Sequence, residues 1–215
     1  MSYDVRPFHL PPPPFERGDS RRTSKIAPST VELKDLLCVE FLDLEIGCGA
    51  GWHPIQYAGQ SPHRHLIAIE HTSTKFAHFK SRVDSHPHLL NLHPVQADAI
   101  LWAARNLPKK SIDRCFILYP NPEPKAPNKR WLRSPFMHRL LEIMKPSGKL
   151  ILTTNKKKYF DEALLWAEHA WKLECVENRS LSAKDGVSPR SHFEKKYLQR
   201  GEVCYEAHWK IGNRS

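Results

Sequence analysis

The sequence predicts an α/β domain: a mostly parallel, seven-stranded sheet with helices on both faces. Three observations carry this. From about residue 40, short apolar runs alternate with stretches of helical periodicity. The first run, Phe41 to Ile46, passes into a loop carrying Gly47, Gly49 and Gly51. The second run ends on an acid, Glu70. In open parallel sheets, ligands bind beyond the carboxyl ends of the strands, near the point where strand order reverses. Functional residues are therefore expected just after strands.

The elements follow in order. Residues 51–59 suit a helix, and 65–70 a second buried strand. Phe76, Phe79 and Val83 repeat at helical spacing, with Ser73 as the expected cap. Residues 90–96 form a third strand, which Pro94 keeps away from the centre of the sheet. Residues 99–105 are helical and 112–119 a fourth strand. Ser134 and Pro135 start a helix, with a hydroxyl cap and then proline at its first position. Phe136, Leu140, Leu141 and Met144 lie on its buried face, and Pro146 and Gly148 end it. Residues 149–154 are the fifth strand. Phe160, Ala163, Leu164, Ala167 and Trp171 mark the next amphipathic helix. Strands near 172–178 and 202–210 complete the sheet.

Ahead of this pattern, residues 1–30 read as a flexible, proline-rich, basic leader, with Pro11 to Pro14 in a row. Residues 31–215 form the single domain. The 215 residues carry 33 Lys and Arg against 23 Asp and Glu, a formal charge of +10, which favours a polyanionic partner. No apolar run has the length of a membrane span, and no apolar signal stretch opens the chain, so a cytoplasmic location is expected. The five cysteines form no C-x-x-C pair and read as reduced thiols. The 13 histidines read as solvated surface residues with no metal-ligand spacing. No metal is expected.

The glycine loop carries the first chemical signal. Gly47, Gly49 and Gly51 allow sharp turning and close approach of a ligand to the backbone. A dinucleotide fingerprint asks for glycine at position 52, where this chain has Trp52, so nicotinamide cofactors are the weaker fit. Glu45 sets a carboxylate two places before the first glycine, which suits an ammonium and repels a pyrophosphate. Glu70 is placed to accept from two ribose hydroxyls. Asp98, after the third strand, is placed to accept from an adenine amine. The loop, the acid after the second strand and the run Lys145-Pro-Ser-Gly-Lys-Leu150 resemble class I S-adenosylmethionine methyltransferases, with their Rossmann-like fold. That resemblance implies S-adenosyl-L-methionine as cofactor.

The second signal follows the fourth strand. Tyr119-Pro-Asn-Pro-Glu-Pro-Lys125 is stiffened by alternating prolines and presents Asn121 and Lys125 to the transferred methyl. The loop resembles the P-D-P-W-P-K-K-R signature of the bacterial tRNA (guanine-N7-)-methyltransferases, the TrmB family. Ser191-His-Phe-Glu-Lys-Lys-Tyr197 resembles that family's T-x-Y/F-E-x-K-F segment, and Thr153-Thr154-Asn155 its K-T-D. The resemblance spans about residues 42–210. It implies a tRNA guanine substrate, Asn121 and Glu194 as catalytic residues, and Lys125, Asn155, Ser191 and Phe193 as substrate contacts. A monomer, a homodimer or a partner subunit all remain compatible with the sequence.

The chain departs from that signature at Asn121 and Asn155, where the family has Asp, at Glu123, where it has Trp, and at Ser191, where it has Thr. Guanine N7 carries a free lone pair, so loss of an acid weakens positioning without removing a needed base. Restoring the acid by Asn121→Asp is therefore expected to raise the rate. Two other readings stand beside this one. The run Asn121-Pro122-Glu123-Pro124 resembles the N-P-P-Y/F motif of amino methyltransferases, although its aromatic residue is missing. A non-catalytic RNA-binding descendant of the fold is the other. Lys129, Arg130 and Arg133, with Lys156 to Lys158, form an expected phosphate-contacting rim, and Trp131 suits either base stacking or the core.

Overall fold

In a computed structural model, residues 3–11, 33–186 and 188–212 are described. Seven strands form one sheet in the order β3-β2-β1-β4-β5-β7-β6. They are β1 (Leu42–Ile46), β2 (His65–Glu70), β3 (Leu92–Gln96), β4 (Ile112–Leu118), β5 (Met144–Thr154), β6 (Glu174–Leu181) and β7 (Cys204–Lys210). β1 to β5 pair in parallel, whereas β7 runs antiparallel between β5 and β6. The helices are α1 (Leu33–Leu36), α2 (Trp52–Gln60), α3 (Ser73–Asp84), α4 (Ala99–Asn106), α5 (Phe136–Ile143), α6 (Lys157–His169) and α7 (His192–Gln199).

Apolar side chains fill both faces of the sheet. Leu42, Leu44 and Ile46 of β1 join the larger cluster with Ala103 of α4, Leu140 of α5 and Ala167 of α6. Ala58 of α2 and Phe79 of α3 pack with Leu66, Ala68, Phe116 and Ile151 in the other. Alternation along β1 leaves Asp43 and Glu45 directed away from that larger cluster, buried on the central strand. Asp43 is neutralised by Arg64 at 2.5 and 2.7 Å and accepts the Tyr57 hydroxyl at 2.6 Å. The order reverses at β1, whose neighbours β2 and β4 feed helices to opposite faces, and this is where a crevice opens.

Several details differ from the sequence expectation, each for a local reason. Ser73 is the first residue of α3 and not its cap; the turn is held instead by Glu70, which accepts from the Thr72 amide at 2.7 Å. Met144 leaves the helix and begins β5, because Ser147 takes a left-handed φ of 64° and Gly148 lets the strand continue against β4. A Cβ on Gly148 would lie 2.8 Å from the Asp113 carbonyl oxygen. Trp171 lies beyond the end of α6, its indole donating to the Leu132 carbonyl at 2.7 Å. α7 carries no matching expectation, since its first turn is mostly polar and only Glu194 and Leu198 are buried.

Part of the expected leader is held to the domain. Tyr3 packs edge-on against Trp166 and Phe8 against Phe136, and Arg105 donates to the Pro11 carbonyl. The rest of the proline run and the basic segment through residue 30 lie outside the described residues. Among the described residues, no helix is long and apolar enough to cross a membrane.

Candidate active site

The crevice at the ends of β1 and β4 is a groove open to solvent. Glu45, Gly47, Cys48, Gly49, Ala50, Trp52 and His53 form one side, and Leu118, Ser191, His192 and Phe193 the other. The structure thus brings together Glu45, Gly47, Gly49, Ser191 and Phe193, which the sequence singled out from segments far apart.

The glycine loop is built by its backbone. Gly47 and Gly49 adopt φ of 73° and 62°, which side-chain-bearing residues seldom take, and a Cβ on either would meet no protein atom within 4 Å. Open space beside a left-handed backbone is what a cradle for a ligand requires. Gly51 differs: a Cβ there would fall 2.0 Å from the Phe79 ring. It permits α2 to pack on α3, a packing reason for glycine that Gly47 and Gly49 do not share.

Glu70 fastens this loop. Its Oε2 accepts from the Gly49 amide at 2.9 Å and its Oε1 from Thr72 at 2.7 Å, with second lone pairs left on each oxygen. Asp98 caps α4 by accepting from the Leu101 amide at 3.0 Å, and its side chain stays exposed after β3. Glu45 is 2% exposed, and its Oε2 lies 2.7 Å from Nδ1 of His53, itself 6% exposed. His53 corrects the reading of all histidines as solvated. So does His93, stacked on His65 with their nitrogens 3.0 Å apart. His53 is the second residue of α2, two places past Gly51. The Cys48 thiol, also on the groove, is pushed well up by burial and by the charges of Glu45 and Glu70, so it stays protonated.

The substrate side departs further from expectation. Glu194 is fully buried at 0% exposure. It accepts from the Arg190 amide at 2.6 Å, the Arg190 guanidinium at 3.0 Å and the Tyr119 hydroxyl at 2.8 Å. Burial alone would raise its pKa; the Arg190 bonds and charge outweigh this and hold it below the usual carboxylate range. A carboxylate so enclosed has no face for a base. It instead ties α7 to the end of β4. Arg190 also bonds Glu206, which Arg179 and His208 share. Glu177, Glu206 and His208 are the one cluster of metal-ligand type among the described residues, and Glu206 is already neutralised by the two arginines.

Asn121 is exposed in a strained turn flanked by Tyr119 and Glu123 at φ of 51° and 44°. Its amide donates to the Glu123 carboxylate at 3.0 Å, and its oxygen accepts from the Glu123 amide at 3.3 Å. The two departures from the family signature in this loop therefore pair with each other. Lys125 is exposed on the same loop. Asn155 donates to Glu202 at 2.6 Å, which engages its amide within the protein. Ser191 caps α7 by accepting from the Glu194 amide at 3.1 Å. Phe193 is 42% exposed and stacks toward Tyr197. The expected cationic rim is thinner than the sequence suggests: Arg130 and Arg133 both bond Glu162, and Lys157 bonds Asp161. Trp131 packs against Phe136.

A mixed sheet with one antiparallel strand inserted beside its edge, a glycine cradle after β1 and acids near the ends of β1 and β2 define a class I methyltransferase. The profile of the putative methyltransferase family matches residues 40–207. A tRNA (guanine-N(7)-)-methyltransferase of Nitrosomonas eutropha is 30% identical over 162 residues, covering 74% of this chain and 69% of that protein. One of Helicobacter pylori is 30% identical over 121 residues, 56% of this chain but only 30% of a longer protein. The chain belongs to this family of methyltransferases. Among solved structures, the 16S rRNA methyltransferase KamB superposes with a TM-score of 0.65 over 85% of this chain and 93% of its own, at 16% identity, which speaks for the fold.

Proposed function

We propose that this chain transfers a methyl group from S-adenosyl-L-methionine to N7 of a guanine in tRNA. The observation that carries the reading is the match to a tRNA (guanine-N(7)-)-methyltransferase over three quarters of the chain, with the glycine loop and the Ser191–Phe193 segment lining one groove. The donor set fits the cofactor. Gly47 and Gly49 leave room for it, Glu45 offers an acceptor to its ammonium, and Glu70 and Asp98 offer acceptors to its ribose and adenine. When bound there, the cofactor supplies an electrophilic methyl on a sulfonium.

The chain's own task is then positional. Guanine N7 brings its own lone pair, so no proton leaves before attack and no general base is needed. Leu118 gives the groove an apolar wall, Phe193 offers a ring face to a base, and Lys125 offers a cation to the RNA backbone. Glu194 acts from behind by fixing Tyr119 and α7. The amino-transfer reading asks for an aromatic residue in the Asn-Pro-Pro-Tyr/Phe pattern, and this loop has Pro124 at that place, with the Asn121 amide engaged by Glu123.

The test is incorporation of labelled methyl from S-adenosylmethionine into tRNA by the purified chain, with ribosomal RNA and DNA as controls. Label in tRNA alone is expected. Binding of cofactor and tRNA without any transfer would instead support the non-catalytic descendant.

A further inference from the structure

We propose that His53 is a positioning residue that holds Glu45 in the geometry and charge state needed to take an ammonium, so that the amino-acid end of the cofactor binds through a His53–Glu45 pair. This rests on the S-adenosylmethionine reading of the groove.

The argument begins with burial. Glu45 sits at the end of the central strand, 2% exposed, where an isolated carboxylate is strongly disfavoured. Its neighbours in charge are committed elsewhere. Arg64 is bound to Asp43, and Arg114 donates to the Tyr57 hydroxyl at 3.0 Å. What remains for Glu45 is His53, whose Nδ1 lies 2.7 Å from its Oε2. Oε1 makes no hydrogen bond among the described residues. The pair thus leaves one carboxylate oxygen directed by a neighbour and the other available, and both residues line the groove.

His53 is itself fixed. Its ring packs against Phe116 at 5.1 Å and Tyr57 at 5.6 Å between centroids. Tyr57 on the same helix and Cys48 in the glycine loop are pushed up and stay neutral, so neither competes as an anion. With its Nδ1–H donating to Glu45, the pair carries one negative charge, which a ligand ammonium completes.

Two ligands separate this effect from all others in the groove. S-adenosylhomocysteine carries the ammonium, and 5′-methylthioadenosine lacks it while keeping adenine, ribose and sulfur. In calorimetric titration of the whole chain, His53→Ala is expected to weaken S-adenosylhomocysteine about tenfold or more and leave 5′-methylthioadenosine unchanged. His53→Gln, which keeps an N–H donor for Glu45, is expected to hold S-adenosylhomocysteine within about threefold of the unaltered protein. Unchanged affinity for S-adenosylhomocysteine in His53→Ala would overturn the proposal, as would an equal loss for both ligands or a failure of His53→Gln to rescue. Failure of both ligands to bind the unaltered protein would instead overturn the cofactor reading itself.

Discussion

Replacing Glu194 separates a positioning role from a direct one. Its carboxylate is fully buried and accepts from Arg190 and Tyr119 at 2.6 to 3.0 Å. Truncation by Glu194→Ala leaves the Arg190 guanidinium with Glu206 alone and removes the acceptor of the Tyr119 hydroxyl. Breaking a buried charged pair from one side typically costs about 3–5 kcal/mol. With a urea m-value of about 2–3 kcal/mol per molar, the unfolding midpoint is expected to fall by roughly 1–2 M. Glu194→Gln keeps shape and one acceptor, loses the charge assistance, and is expected to fall by about half as much. Urea titration followed by tryptophan fluorescence measures both, beside methyl transfer under conditions where each variant is folded. The reasoning is refuted if Glu194→Ala keeps the unaltered midpoint yet loses transfer, because the side chain would then act on the base and not on the scaffold.

The remaining predictions follow from other contacts. Gly51→Ala is expected to lower the melting temperature, through the clash with Phe79 and a φ of 80°, while Gly47→Ala is expected to leave melting less affected and abolish S-adenosylhomocysteine binding; calorimetry and thermal melts read the two separately. Asn121→Asp alone is expected to slow transfer, because it sets a carboxylate against Glu123 in place of a 3.0 Å hydrogen bond, and adding Glu123→Gln is expected to recover it. This reverses the expectation drawn from the sequence, and steady-state rates of the single and double variants decide it. Burial, with the charge of His65, lowers His93 to about 4 from an ordinary 6.5. A lowered histidine contributes stability above its unfolded pKa and loses it as pH falls, here between about 6.5 and 4. The loss is about 3 kcal/mol, at 1.4 kcal/mol per unit, and His93→Gln is expected to flatten that part of the urea-midpoint curve.

The sequence made the frame of the fold legible because strands and helices here carry their own periodicity. β1, β2 and β4 are buried runs, and Pro94 correctly placed β3 at an edge, where a missing amide matters least. The start of β5 was not legible, since Lys145 to Gly148 read as a helix stop and the structure uses them as an irregular strand opening. The glycine cradle was legible as a set, yet spacing could not tell Gly51, which faces Phe79, from Gly47 and Gly49, which face open space. Glu194 and Asn155 were matched by motif, but motif does not say whether an acceptor is already satisfied: Arg190, four residues before Glu194, precedes the helix, and Glu202 is remote from Asn155 in sequence. His53 was hidden for the opposite reason: a histidine-rich chain offers many candidates, and only burial beside Glu45 distinguishes one.

The central claim is transfer to guanine N7, and the product itself tests it most directly. N7-methylguanosine makes RNA cleavable after reduction and aniline treatment, whereas a methylated amine or ring nitrogen elsewhere does not. After incubation of tRNA with the purified chain and S-adenosylmethionine, cleavage at a guanine that depends on both protein and cofactor is predicted. Methyl label in tRNA that resists this cleavage would contradict the account.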